Sequence, residues 1–215
     1  MKYKHIIWDW NGTIVDDSWL SLEVLNSILR DFNLPEISLS FYRDNFSFPV
    51  VNFYRQIGFD LSKQVFEQVG ETFMSRFNAK RFDCRLQSGA RKLAELFSGA
   101  GLKQSILSAY RKDFLKEAAD FFDMSKYMSD IVGLSDIYAN TKLALGLEYI
   151  KTLELPGREI LYIGDTDHDF EVASAMGVEC RLVSRGHQSQ ARLQKTGAKT
   201  YADFETLERE LFEEA

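Results

Sequence analysis

The chain reads as an α/β fold: a Rossmann-like parallel sheet flanked by helices, with an all-helical cap domain inserted after the first strand. Three observations predict this. Short apolar runs alternate with helical patterns through the middle and end of the chain, the signature of βαβ units. Two of these runs end in acidic, Gly-containing turns: Ile6-Ile7-Trp8 leads into Asp9-Trp10-Asn11-Gly12-Thr13, and Ile160-Leu161-Tyr162-Ile163 into Gly164-Asp165-Thr166-Asp167-His168-Asp169. Between residues 16 and 84 no good strand pattern remains, only helical spacing.

Residues 3–9 form the first predicted strand. A helix follows over Ser18 to Phe32, where Leu22, Leu25, Ile28, Leu29 and Phe32 share a face. Pro49 can open a short helix closed by Gly58. From Leu61 to Phe77, the residues Val65, Phe66, Val69, Phe73 and Phe77 make one stripe. A helical block of ~70 residues far exceeds an ordinary crossover. It reads as a mobile cap over the strand ends; the plainer alternative is that it packs on a sheet face. The predicted division is a core of residues 1–15 and 85–215 and a cap of residues 16–84. In the core, a helix over 88–98 can be capped by Ser88 and aligns Leu93, Leu96 and Phe97. Residues 103–108 read as a strand, and 111–122 as a helix with Leu115, Ala118, Ala119 and Phe122 on one side. Then come a helix over 141–152, a strand over 160–164, a helix over 167–176 ended by Gly177, a strand over 179–184, and a short strand at Thr200-Tyr201.

Composition narrows the function classes. The 215 residues are 45% apolar with 3 prolines, enough for a real core in one domain with an insertion. A net charge of −6, with no basic run longer than Lys2 to Lys4 or Arg111-Lys112, argues against nucleic acid as a partner. Cys84 and Cys180 are too few and too far apart for a zinc cluster, and Cys180 reads as a core residue. A disulfide between them is left open by the sequence. No long apolar segment or cleavage signal is visible, so no membrane association and a cytoplasmic location are expected.

A carboxylate where a buried strand enters a Gly-containing turn sits at the mouth of an α/β sheet, where such folds do chemistry. Two such turns could together hold a hard cation. Four short motifs stand in a telling order: Asp9 to Thr13, Ser108 after Ile106-Leu107, Lys142, and Gly164-Asp165-Thr166 with Asp169. In these, over essentially its whole length, the chain resembles the haloacid dehalogenase-like hydrolase superfamily and its phosphoglycolate-phosphatase-like branch with a helical cap. The resemblance implies a phosphatase acting on a small phosphorylated metabolite. It makes Asp9 both nucleophile and metal ligand. Ser108 would hydrogen-bond the phosphoryl group, and Lys142 would offset developing charge and hold the nucleophile. Thr13 and the backbone N–H groups around Gly12 would complete a phosphate-binding turn. Asp165 would be the second anionic ligand, Asn11 would contribute its backbone carbonyl, and Asp169 would ligate or orient a water-bound ligand. Mg²⁺ fits such a set, because carboxylates that converge cannot all stay ionised without a cation.

Two departures stand out. Lys142 is followed by Leu143 rather than by the proline common in relatives, and Asn11 stands where phosphatases of the family carry a second Asp. That Asp protonates the leaving alcohol and then activates water; an amide can do neither. Three readings follow. The chain is a phosphatase that is slow, favours good leaving groups, or borrows a proton relay from Asp167, His168 or the cap. Or it runs different chemistry on the same nucleophile, as dehalogenases and phosphonoacetaldehyde hydrolases do. Dehalogenases need no Mg²⁺, and a phosphonate reaction needs a cap lysine such as Lys63 or Lys80. Or it binds a phosphate ligand with little turnover. Arg43, Arg55 and Arg76 are candidate substrate contacts in the cap, though surface positions suit each. Tyr42, Phe46, Phe48, Phe53 and Tyr54 read as cap core rather than as a substrate shelf.

Overall fold

The computed structural model describes residues 2–135 and 141–213, without the side chains of Lys63 and Gln64. Strand β1 (His5–Trp8) leads through the acidic turn to a two-residue strand β2 (Val15–Asp16). Four helices follow: α1 (Ser18–Asp31), α2 (Leu39–Asn45), α3 (Val50–Gln56) and α4 (Lys63–Lys80). The chain returns through β3 (Arg85–Leu86) to α5 (Ala90–Gly99), β4 (Lys103–Arg111), α6 (Lys112–Phe121) and β5 (Asp130–Leu134). It ends with α7 (Lys142–Thr152), β6 (Ile160–Gly164), α8 (Asp167–Met176), β7 (Glu179–Val183), α9 (Gln190–Leu193), β8 (Lys199–Tyr201) and α10 (Phe204–Glu213).

Six strands form one parallel sheet in the order β5-β4-β1-β6-β7-β8. Every residue of β1 is buried, as a strand covered on both faces requires. Its alternation decides the layers. Ile6 and Trp8 face a core shared with Leu93 and Phe97 of α5, Leu115 of α6 and Leu207 of α10. Ile7 faces the opposite core, with Tyr149 of α7 and Val172 and Met176 of α8. The sheet is thus sandwiched between helical layers, as predicted. The chain builds one side of β1 first (β4, β5) and then the other (β6 to β8), so the strand order switches beside β1. Crevices at such points, at the carboxyl ends of the strands, are where open α/β sheets bind ligands.

Several predicted elements are present with shifted ends. Six were not anticipated: the short β2, β3 and α9, and the longer α2, β5 and α10. The edge strand β5 is half exposed and interrupted by Gly133, so its sequence carries no clean strand period. Helix α2 is a single short turn pair, and α10 follows a strand too brief to announce it. Ser88 does not cap α5; Gly89 does, in a left-handed conformation (φ 89°) that places its Cα side against Phe204. Gly177 ends α8 at φ 70°, as the sequence suggested. Both cysteines are buried and free. Among the described residues, no helix is long and apolar enough to cross a membrane.

Candidate active site

The acidic turn is held by the sheet itself. The Asp9 N–H donates to the Ile163 carbonyl (2.9 Å), which ties the end of β1 to the end of β6. Asp165, one residue beyond β6, therefore lies opposite Asp9. Asp169 arrives from the first turn of α8. Its Oδ2 accepts from the N–H of Thr166 (2.9 Å) and of Asp165 (3.1 Å), a capping box that fixes the helix start. One oxygen each of Asp9, Asp165 and Asp169 lies within 4.8 Å of the others, and all three residues are buried.

Lys142, in the first turn of α7, reaches into this cluster. Its Nζ donates to Asp9 Oδ1 and to Asp169 Oδ1. Ser108 lies on β4 where the pairing with β5 loses register between Leu107 and Arg111. Such an irregularity re-aims the chain, and Ser108, Ala109 and Tyr110 line the cavity in front of Asp9. Asp9, Ser108, Lys142, Asp165 and Asp169 are thus brought together as the motifs suggested.

The remaining motif residues serve the scaffold in this conformation. Thr13 Oγ1 donates to Asp165 Oδ1 (2.8 Å). The Gly12 N–H is shared between the Val15 carbonyl (2.9 Å) and Asp17 Oδ1 (2.6 Å). Both groups are engaged within the protein. Gly12 has φ 79°, and a Cβ there would overlap Asp165 and His187, so only glycine lets the turn close this tightly. Asn11 Nδ2 donates to Asp17 Oδ2 (2.7 Å).

Asp17 and His187 are the residues that sequence reasoning missed. Buried Asp17 accepts from Asn11, from Gly12 and from His187 Nε2 at 3.3 Å. His187 Nδ1 is hydrogen-bonded to Tyr42 Oη (2.9 Å), and its backbone N–H donates to Asp165 Oδ2 (2.7 Å). His187 follows β7 at the sheet's carboxyl end, a position that was the available signal. Asp17 had no comparable signal beyond its place in the turn region. By contrast, Asp167 is held by Gln188 and Arg192, and His168 pairs with Glu171 and packs on Phe48. Neither lines the cavity.

Electrostatics follow from burial. Loss of water pushes the Asp9 carboxyl up to about 8; Lys142 opposes this, and the Asp169 and Asp165 carboxylates add to it. Asp165 is likewise raised by burial, to about 6, with His187 opposing. Asp169 moves down, because Lys142 and Thr166 overcome its burial. Lys142 is raised despite burial by Asp169 and Asp9. His187, against the downward push of burial, is held up at about 9 chiefly by Asp17. Around the site, the buried acids Asp9, Asp17, Asp165 and Asp169 exceed the buried bases Lys142 and His187 by two.

The cavity measures about 350 Å³ and runs from Asp9 into the helical block. Its far wall is aromatic: Tyr42, Phe46, Phe48, Phe53, Tyr54 and Phe73 all line it. The aromatic stretch read as cap core is in fact both core and cavity wall. The three candidate arginines are elsewhere. Arg43 donates to the Gly186 and Arg185 carbonyls (2.9 and 3.0 Å), Arg76 pairs with Asp31, and Arg55 is exposed outside the lining. Lys80 is exposed and paired with Glu23, which disfavours one of the two candidates for the single lysine that a phosphonate reaction needs. The side chain of Lys63 lies outside the described residues.

Solved structures share this architecture. A predicted phosphatase from Clostridium acetobutylicum superposes with a TM-score of 0.84 at 19% identity, covering 98% of this chain and 99% of that one. A protein of Lactobacillus delbrueckii subsp. bulgaricus, provisionally named phosphoglycolate phosphatase, reaches 0.82 at 20% identity over 97% and 98% of the two chains. A curated sequence from Caldanaerobacter subterraneus subsp. tengcongensis, provisionally named pyrophosphatase PpaX, is 23% identical over 83% of this chain and 80% of its own length. The family model described as haloacid dehalogenase-like hydrolase matches residues 6–183, and the chain belongs to that family.

Proposed function

We propose that the chain is a Mg²⁺-dependent phosphoric monoester hydrolase that acts on a small phosphorylated metabolite through an aspartyl-phosphate on Asp9. The observation that carries this reading is the junction of buried Asp9, Asp165 and Asp169 with Lys142 beside a largely apolar cavity. The names of similar proteins, a phosphoglycolate phosphatase and a pyrophosphatase, agree with a phosphorylated small molecule.

The site suits a hard divalent cation. Its donors are carboxylate oxygens, and its two excess buried acids match two positive charges. Asp9, Asp165 and the Asn11 backbone carbonyl would hold the ion. Asp169, already engaged by Thr166 and Lys142, would orient the arrangement rather than lead it. The chemistry such an ion supplies is charge compensation, which keeps Asp9 ionised and offsets the phosphoryl oxygens.

The chain's own residues do the rest. Asp9 attacks phosphorus, and the ester oxygen departs with the electron pair of the broken P–O bond. Lys142 fixes the Asp9 carboxylate and faces the charge that develops. Ser108 presents a hydroxyl to the transferring group. Water then cleaves the aspartyl-phosphate, releasing phosphate and restoring Asp9. Asn11 provides no proton in either step, a loss typically of ~10²–10⁴-fold in rate, so turnover is expected to be slow. Residues 16–84 act as the cap that excludes water during the reaction.

The test is phosphate release from 4-nitrophenyl phosphate with Mg²⁺, with chelator, and in Asp9→Asn. Activity should require Mg²⁺ and fall by at least about 10³-fold in the variant. Undiminished turnover in Asp9→Asn would overturn the mechanism. Absence of turnover in both proteins, with vanadate or phosphate still bound, would favour a binding role.

A further inference from the structure

The cavity beyond Asp9 has a chemical character that narrows the substrate, and this inference rests on the phosphatase reading. Tyr42 and Phe46 stack at 5.0 Å, Phe48 meets Phe46 edge-on at 5.2 Å, and Phe53 does so at 5.5 Å. Phe73 and Phe77 continue the wall. These are the geometries in which aromatic rings attract one another, and a further ring entering the box would find the same edges and faces.

Beyond the acidic cluster the polar groups of the lining are neutral hydroxyls, among them those of Ser21, Tyr42, Tyr54 and Tyr110, and they bring no positive charge to meet a charged leaving group. Tyr42 Oη is committed to His187, and Tyr110 Oη donates to Asn78 Oδ1. No arginine or lysine lines the cavity among the described residues. The imidazole of His187 is already paired with Asp17. A carboxylate or second phosphate on the leaving group would therefore be desolvated without a partner, and it would face Asp17. Its burial is therefore unfavourable unless a cation is supplied.

The position of Asn11 points the same way. A leaving alkoxide, from an alcohol about as weakly acidic as water, needs a proton during bond breaking. A leaving phenolate, from a hydroxyl with a pKa of about 10, can depart unprotonated at far lower cost. A site that binds a ring and offers no acid at position 11 is matched to that second case.

We infer that the physiological substrate is the monophosphate ester of an aromatic hydroxyl group that carries no second charge. Asp9 attacks phosphorus, the P–O(aryl) bond breaks, its electron pair leaves on the phenolate oxygen, and water later releases phosphate from Asp9. The phenolate takes its proton from solvent.

The experiment compares kcat/KM, with Mg²⁺, for phenyl phosphate, 4-carboxyphenyl phosphate, 2-cyclohexylethyl phosphate, phosphoglycolate and pyrophosphate. Binding of the same compounds to Asp9→Asn is measured by calorimetry, so that affinity is read without turnover. Phenyl phosphate should exceed 4-carboxyphenyl phosphate by about tenfold or more in both measurements, and phosphoglycolate and pyrophosphate by about 10²-fold. Phe48 is 41% exposed, at the open side of the aromatic wall. Phe48→Ala should lower kcat/KM for phenyl phosphate by about tenfold, and Phe48→Arg should shift preference toward 4-carboxyphenyl phosphate. Efficient turnover of phosphoglycolate or pyrophosphate with poor aryl turnover would overturn the substrate class and leave the phosphatase reading intact. Selective binding of phenyl phosphate without turnover of any ester would uphold the ligand class and overturn the phosphatase. Equal affinity for phenyl and 4-carboxyphenyl phosphate would overturn the inference whatever the activity.

Discussion

Asn11 and Asp17 are best understood as a pair. The amide of Asn11 donates to Asp17 Oδ2, and Asp17 also anchors Gly12 and His187. Restoring an acid by Asn11→Asp would set a half-buried carboxylate against buried Asp17, and their repulsion would keep both from ionising easily. The single variant is therefore expected to gain little. Exchanging the two residues, Asn11→Asp with Asp17→Asn, keeps one donor and one acceptor. It should raise turnover of alkyl phosphates by about tenfold or more, since an acid returns at position 11. Steady-state kinetics on an alkyl and an aryl phosphate check this: a gain confined to the aryl ester would contradict it.

Helix α2 joins the helical block to the loop that follows β7. Arg43 donates to the Gly186 and Arg185 carbonyls, Ser189 N–H donates back to the Arg43 carbonyl (3.0 Å), and Gln188 Nε2 reaches the Phe46 carbonyl (3.0 Å). The same contacts hold the loop that carries His187. Charge-assisted hydrogen bonds of this kind are worth about 1.5–3 kcal/mol each. Arg43→Ala should loosen this seam and raise KM by about tenfold, with a smaller effect on kcat. Substrate kinetics with a parallel thermal melt check it; an unchanged KM would mean that the seam does not contribute to binding.

For the whole molecule, the base of the sheet carries a pH dependence separate from the site. His5 is buried, with Nε2 hydrogen-bonded to Ser105 Oγ (2.8 Å) and Nδ1 without a partner. Burial pulls its pKa down from 6.5 to about 4. The folded protein therefore resists a proton that the unfolded chain accepts. This stability is fully present above about pH 6.5 and is lost as pH falls toward 4. Between pH 7 and 5 the loss is at most about 2 kcal/mol, and less to the extent that water enters the hollow beside His5. Denaturant melts of the wild type and His5→Gln at the two pH values should show the slope reduced in the variant. Parallel slopes would assign the dependence to other groups.

Much of the fold was legible because its cues are local. Buried parallel strands write themselves as apolar runs, and amphipathic helices as 3.6-residue stripes. The edge strand β5 escaped because it is half exposed and holds Gly133. At the site, Asp9, Ser108, Lys142, Asp165 and Asp169 were legible as motifs tied to strand ends. His187, Asp17 and the aromatic cavity wall were not, because each gains its meaning from a partner far away in the chain: Tyr42 lies 145 residues from His187. The sequence by itself determined the family, the acidic cluster and the missing acid at position 11. The tertiary structure alone decided that Asp17 and His187 join that cluster, and that aromatic residues of the helical block line the cavity beside Asp9 while its candidate arginines do not. Side-chain direction across a domain seam depends on long-range packing, which no local pattern encodes.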